Sequence, residues 1–410
     1  MLYVQGKNSQ FHRDKVVNNP GCPPSQMPLT PIFRCAILTV LYGNCTSHLD
    51  RVAYVMSSVR IVKGNTTGIT TMQRSIFHDD TVFEAVSREE WNALLASSAT
   101  DVIFLTWEWQ SAWWNHMYPG DMFSLVYRDS AGALLGIIPL FRFDDEQKGP
   151  TLSIIGCEEV SDYLDFIIAP EYEAEICADL LDSLRAAPAL SWNQLQLCNV
   201  PVQSIAYRVL TDLACAKGLS VQVTVQDRCP VIALPATWDA YLDTLDKKQR
   251  HEIRRKLRRA ESQADTQCYV VSDQQHDVAA QMESFIALHR SSRPEKDVFM
   301  DERMKGFFID IAGILAQRDW LQLSFLEIDG RKAAALFSFS YNQSYQIYNS
   351  GYDPELYGQF SPGIVLIAYC IQCAIGRGYK TFDFLRGEEE YKYRMGAKPT
   401  DVHELIIRNP

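Results

Sequence analysis

The chain has 410 residues, 47% hydrophobic and 22% charged, with a formal net charge of -11. That length exceeds what one hydrophobic core usually serves, so two domains are expected. The acidic balance argues against DNA as a partner. No apolar run is long enough for a transmembrane segment, since Cys35 to Tyr42 is short and is flanked by Arg34. Eleven cysteines, an odd number without regular spacing, suit reduced, mostly buried thiols rather than a disulfide frame, and the cytoplasm is the expected compartment.

Residues 1–72 differ from the rest. They carry seven Lys or Arg against only Asp14 and Asp50, with recurrent Gly, Pro, Asn, Ser and Thr and no periodic apolar face. We expect a disordered or spurious extension here, with a natural start at Met72. A basic targeting segment is the other reading, and it lacks a cleavage-site pattern.

From Thr81 the elements alternate. Val82 to Val86 is expected as a strand and Arg88 to Ser97 as a helix capped by Ser87. A helix from Thr106 to Asn115 carries Trp107, Trp109, Trp113 and Trp114, a stripe better suited to a core than to a ligand cage. Strands are expected at Phe123 to Tyr127 and Leu134 to Phe141, joined at Gly132, and then at Leu152 to Ile155, Asp165 to Ile168 and Gln194 to Cys198. Helices are expected at Glu171 to Arg185 and Val202 to Lys217. A similar order recurs later. Leu321 to Ile328 and Lys332 to Tyr341 form a hairpin about Asp329-Gly330, followed by a strand at Gln346 to Ser350, a helix at Pro362 to Arg377, and strands at Lys380 to Phe384 and His403 to Ile407.

Three segments carry candidate chemistry. Lys247 to Arg259 holds eight bases in thirteen residues, with Ile253 and Leu257 spaced to dock one helical ridge and leave a basic face outward. That face is either a solvated helix or a platform for phosphates: a coenzyme A phosphate, an acidic carrier protein, a tRNA acceptor stem or an anionic head group. Ser361-Pro362-Gly363 is a helix start with a capping hydroxyl, a proline that lacks a donor anyway, and an open first turn. Such an N-terminus suits an ordinary cap or an anion. Last, a strand ending Phe382-Asp383-Phe384-Leu385 runs into Arg386, Gly387, Glu388, Tyr391, Lys392 and Arg394. Acids, bases and tyrosines beyond a strand end read either as a solvated turn or as a site.

Other chemistries find no support. Cys370 and Cys373 lie three apart without a second pair, and neither His289 nor His403 has ligand spacing, so no metal is expected. Nucleophile elbows, Walker loops and dinucleotide glycine patterns are missing.

The run Ser361-Pro362-Gly363, Gly378-Tyr379, Asp383 to Glu388 and Tyr391-Lys392-Tyr393-Arg394 resembles the C-terminal half of a bacterial family of GNAT-like acyltransferases. That family is related to the FemAB transferases and to proteins of cellulose and exopolysaccharide synthesis. Thr106 to Trp109 with Ala112 to Trp114 is similar to its N-terminal half, and Met395 stands where the family often has Trp. The resemblance implies an α+β or α/β fold of two tandem GNAT-like domains, with mixed, largely antiparallel sheets flanked by helices. These would span residues 80–226 and 229–410, the second with its basic helix at 246–261. It implies acyl transfer from a small-molecule donor, acyl-CoA (acetyl-CoA), to an amine acceptor, with tRNA or an acidic carrier protein as alternative donor bodies. Ser361, Gly363, Arg386, Arg254 and Arg258 would hold the donor. Asp383 or Glu388 would be the base, Lys392, Arg394 or strand N–H groups would meet the developing oxyanion, and Tyr391 or Tyr348 would reprotonate the leaving thiolate. An aminoacyl-tRNA-dependent ligase and a non-catalytic scaffold are the rival readings. Ser161-Asp162-Tyr163 has no Pro-Gly helix start and is expected to face no Arg/Lys/Tyr cluster, so the first half is expected to lack a donor site.

Overall fold

The computed structural model describes residues 55–61, 70–117, 120–157, 160–186, 191–271, 276–355 and 357–408. Strands β1 (Val55–Ile61) and β2 (Thr70–Phe77) precede helices α1 (Val82–Ala85), α2 (Arg88–Ser97) and α3 (Trp107–Met117). Next come β3 (Asp121–Arg128), β4 (Leu134–Asp145), β5 (Gly149–Ile154), β6 (Ile167–Ile168), α4 (Glu173–Ala186) and β7 (Gln194–Pro201). A π-helical turn (Ala206–Leu210) runs into α5 (Thr211–Ala216), and β8 (Ser220–Ala233) leads to α6 (Trp238–Thr244) and α7 (Lys247–Gln263). The chain continues through β9 (Thr266–Val270), α8 (Val278–Ser292), α9 (Pro294–Phe299) and α10 (Glu302–Gln317). It ends with β10 (Ser324–Ile328), β11 (Arg331–Tyr341), β12 (Ser344–Tyr352), α11 (Pro362–Gly376), β13 (Thr381–Asp383), α12 (Glu390–Arg394) and β14 (Lys398–Arg408).

The strands form one mixed sheet in the order β1-β2-β3-β4-β5-β7-β14-β8-β13-β12-β11-β10-β9, with β6 on β4. Pairing is antiparallel except at β5/β7 and β12/β13. Each parallel pair encloses a crossover containing a helix, as parallel strands require. The last strand joins the halves: β14 pairs with β7 from Val402↔Pro201 to Arg408↔Gln194, and with β8 from Lys398↔Val231 to Arg408↔Ser220. The expected boundary at 226–229 falls inside β8.

The core follows the sheet across both halves. Trp109, fully buried on α3, meets Phe104, Phe307, Phe339 and Tyr348 edge-on at 4.8–5.6 Å between ring centroids. Its indole N–H donates to Ser161 Oγ at 2.9 Å, so the buried polar edge is satisfied. The tryptophan stripe is core, as its helical spacing implied, and it bridges the two halves.

Three expectations change. Val82–Ala85 is a helical turn rather than a strand. The Asp79 carboxylate accepts from the Thr81 amide at 3.2 Å and from its hydroxyl, a local turn that competes with extended pairing. The expected extension is not wholly unstructured, because β1 pairs with β2 from Val55↔Ile76 to Ile61↔Thr70; the rest of residues 1–69 lies outside the described residues. Cys157 and Cys198 are joined in a disulfide with their Cα atoms 5.8 Å apart, against the expectation of thiols throughout. The loop after β5 brings Cys157 back over β7, a proximity that spacing along the chain does not reveal. Cys177, Cys229 and Cys370 are free and buried.

Candidate active site

The site begins with a strand–helix–strand unit. β12 and β13 are parallel neighbours, paired from Ser344↔Thr381 to Gln346↔Asp383, and α11 connects them. Pairing stops there, although β12 runs on to Tyr352 along β11. The C-terminal ends of both parallel strands and the N-terminus of α11 therefore lie at one end of the unit, where open α/β sheets bind ligands.

Asp383, the last residue of β13, is 6% exposed. Its Oδ1 accepts from the Leu385 amide at 2.8 Å and its Oδ2 from the Tyr163 hydroxyl at 2.8 Å. Burial pushes its carboxyl up to about 6, against the pull of those two hydrogen bonds. Leu385 sits at φ 54°, a left-handed backbone that a β-carbon disfavours and that persists only where its surroundings fix it.

Lys392 provides that fixing. It is 3% exposed, and its ammonium donates to the carbonyls of Leu385 (3.4 Å), Arg386 (2.8 Å) and Gly387 (3.0 Å) while pairing with Glu389 at 2.9 Å. An ammonium has three protons, so these partners occupy it. Its geometry assigns it to holding the loop rather than to an open oxyanion position. Glu388 is exposed and accepts from Arg228 (3.0 Å) and Tyr393 (3.1 Å), which suits it less than Asp383 to the part of a base. Tyr391 packs edge-on against Phe384 at 6.1 Å, and burial pushes its phenol up, so it stays protonated. Arg394 is exposed and paired with Glu390.

Arg386 turns away from the donor elements. Its guanidinium pairs with Asp162 and donates to Asn199 Oδ1 at 3.2 Å, both in the first half. The β7/β14 register slips between His403 and Leu405, so Cys198 and Asn199 together face one residue of β14. At this bulge Asn199 takes φ 54°, and its amide group donates to Ser161 O at 2.7 Å. A bulge re-aims one side chain out of the pleat, here toward Arg386. The expectation that Ser161-Asp162-Tyr163 faces no Arg/Lys/Tyr cluster is thus overturned. Tyr163 contacts Asp383 while Asp162 and Asn199 contact Arg386, and the run Ser161 to Asp165 before a short strand is the sequence signal for the first two.

The basic helix and the start of α11 lie side by side. α7 is capped by Asp246, whose carboxylate accepts from the Gln249 amide at 2.9 Å, and it buries Ile253, Leu257 and Ala260. That ridge lies along α11, and Lys256 donates to Ser361 Oγ at 2.8 Å while Arg259 stands 5.7 Å over Phe360. Ser361 does not cap α11: it is at φ 54° and its hydroxyl serves Lys256. Pro362 lacks an N–H, and the amides of Ile364 and Val365 turn back to Ser361 O. Gly363 thus supplies the first-turn amide without an intrahelical partner, and a β-carbon there would meet nothing within 4 Å. Lys248, Gln249, His251, Glu252, Arg255 and Arg258 of α7 line a groove of about 670 Å³ with Glu390 and Arg394 of α12. Arg254 does not line it and lies 3.8 Å from Asp239. Among the described residues, no cluster of His, Cys, Asp and Glu could hold a metal ion, and no helix is long and apolar enough to cross a membrane.

Residues 247–393 match the family model described as an acetyltransferase (GNAT) domain. Among solved structures the chain is similar to FemX, at a TM-score of 0.57 and 11% identity, over 78% of this chain and 96% of that one. Weaker likenesses are L-PGS from Bacillus licheniformis (0.49, 12% identity, 79% and 92% covered) and a tandem GNAT protein from the clavulanic acid biosynthesis pathway (0.43, 12% identity, 87% and 99% covered). No curated protein matches the chain. The resemblance read from the sequence holds at the level of fold: the chain has a GNAT-like fold similar to that of FemX, and its residues 247–393 match the acetyltransferase (GNAT) domain.

Proposed function

We propose that the chain is an N-acyltransferase that moves an acyl group from acyl-CoA to an amine. The observation that carries this reading is the arrangement of three features on the β12–α11–β13 unit: the Gly363 amide without an intrahelical partner at the start of α11, Lys256 of α7 bonded to Ser361 beside it, and buried Asp383 at the end of β13. Anionic phosphates suit the first two. The third is a carboxyl whose affinity for protons is raised toward neutrality, as a general base requires.

In this mechanism the amine nitrogen attacks the thioester carbonyl carbon, and the C=O π electrons move to oxygen. Asp383 accepts the proton that the nitrogen sheds. The tetrahedral intermediate re-forms its C=O and expels the thiolate, to which the Asp383 carboxyl returns the proton it took. Lys392 holds the loop through its carbonyls while this happens. Arg255, Arg258 and Arg394 hold the donor's phosphates in the groove. Acceptors from polysaccharide or cell-envelope synthesis accord with the sequence resemblance. The same groove also suits aminoacyl-tRNA as an alternative donor.

The test is chromatographic detection of free coenzyme A after incubation with acetyl-CoA and a panel of amino sugars, lipid amines and peptide amines. Amine-dependent release that is lost in Asp383→Asn is the expected result. Release from none of them, with aminoacyl transfer from tRNA instead, would replace the donor assignment.

A further inference from the structure

We propose that Tyr163 is a positioning residue for Asp383, and that the first half of the chain, through Asp162, Tyr163 and Asn199, completes the acyl-transfer site of the second. This rests on the acyl-transfer reading only for the role given to Asp383.

The geometry is that of a bonded network rather than of surfaces that happen to touch. Tyr163 is 8% exposed, and its hydroxyl donates 2.8 Å to Asp383 Oδ2 across 220 residues of chain. With Leu385 N on Oδ1, the carboxyl is held on both oxygens, so its plane is fixed. The neighbouring Asp162 pairs with Arg386, three residues beyond Asp383, and Asn199 takes a further N–H of the same guanidinium. The loop carrying both residues is itself tied down. Asn199 donates to Ser161 O, Leu164 N donates to Asn199 O at 3.0 Å, and Tyr348 of β12 donates to Val160 O at 2.8 Å. The first half thus grips both strands of the parallel pair, β12 through Tyr348 and β13 through Asp383. A base must be held in one orientation to meet its proton, and an unheld carboxylate loses that alignment.

The groups facing Asp383 act in opposite directions. The Tyr163 hydroxyl and Lys392 favour its charged form, Asp162 disfavours it, and the Cys229 thiol of β8 lies beside Tyr163. Arg386 and Asp227 stand one step further out. Removing only the Tyr163 hydroxyl therefore has a definite sign.

The experiment is carboxyl ¹³C NMR of the full chain labelled at aspartate, with Asp383→Asn used to assign the resonance. In Tyr163→Phe the Asp383 midpoint should rise by about one to two pH units, the loss of one hydrogen bond to a charged acceptor. A merely structural role would loosen the site and admit water, and the midpoint would fall toward the ordinary carboxyl range. A fall, or no change, overturns the proposal. A second measurement covers a variant that fails to fold: in the wild type the Tyr163 hydroxyl proton resonance should shift with the Asp383 midpoint, and this titration should vanish in Asp383→Asn. A wild-type resonance indifferent to pH across that range would equally overturn it. No substrate enters either measurement, so failure to consume acetyl-CoA would bear on the acyl-transfer reading alone.

Discussion

At the scale of single residues, burial divides labour among like groups. Asp383 and Glu388 read alike in sequence, yet one is buried with its oxygens held and the other is exposed and paired with Arg228. Raising Asp383 from 3.8 to about 6 means that folding favours its protonated form. That contribution is fully present below the unfolded value and is lost as pH rises through about 6, a change of about 3 kcal/mol at 1.36 kcal/mol per unit. Asp383→Asn, which cannot ionise, should therefore gain stability relative to the wild type as pH rises from about 4 to about 7. Denaturant titrations across that range check it; a gap that stays constant with pH would show a normal carboxyl, and one that shrinks with rising pH a lowered one. Lys392→Met should cost about 2–4 kcal/mol, because it leaves buried loop carbonyls without donors and frees the left-handed Leu385. Thermal melts of the variant with stability unchanged would return Lys392 to the role of an exposed catalytic donor. The candidate cluster around Asp383 was legible because acids and bases gather just past an apolar strand. What Lys392 binds was not, since residue type gives a donor and not its partner.

Among the elements, the basic helix shows how a charge run acquires direction only through packing. Ile253, Leu257 and Ala260 press α7 onto α11, which settles which bases face the groove. Spacing alone correctly placed Ile253 and Leu257 inward and Arg258 outward. It could not separate Arg254, near Asp239, from Arg255 in the groove, because both are exposed and adjacent. Nor could it show that α12 supplies Arg394 to the opposite wall. Reversing Arg255, Arg258 and Arg394 to Glu should leave the fold intact and weaken coenzyme A binding by a factor that shrinks at high salt. Calorimetry at about 0.05 and about 0.5 M salt reads this, as the screening length falls below the spacing of exposed charges. Equal affinity of both proteins at both concentrations would remove the groove from the donor site. The short α1 and the disulfide were illegible for a related reason: Asp79 and the approach of Cys157 to Cys198 act through contacts, not through periodicity.

For the whole molecule, the tandem resemblance was legible and the sharing was not. Two hairpins in similar order suggested two units, whereas β14 lies between β7 and β8 and Trp109 packs against residues of both halves. Such exchange needs no sequence signal beyond an ordinary strand at the C-terminal end, since its partner is chosen by the sheet it completes. In the proposed site the donor elements come from the second half and the supports from the first. The proposed donor of this shared site is a coenzyme A thioester. Isothermal titration of the full chain with coenzyme A tests that most directly: saturable binding that weakens with added salt is the predicted result. Binding of aminoacyl-tRNA without any binding of coenzyme A, or of neither, would contradict it.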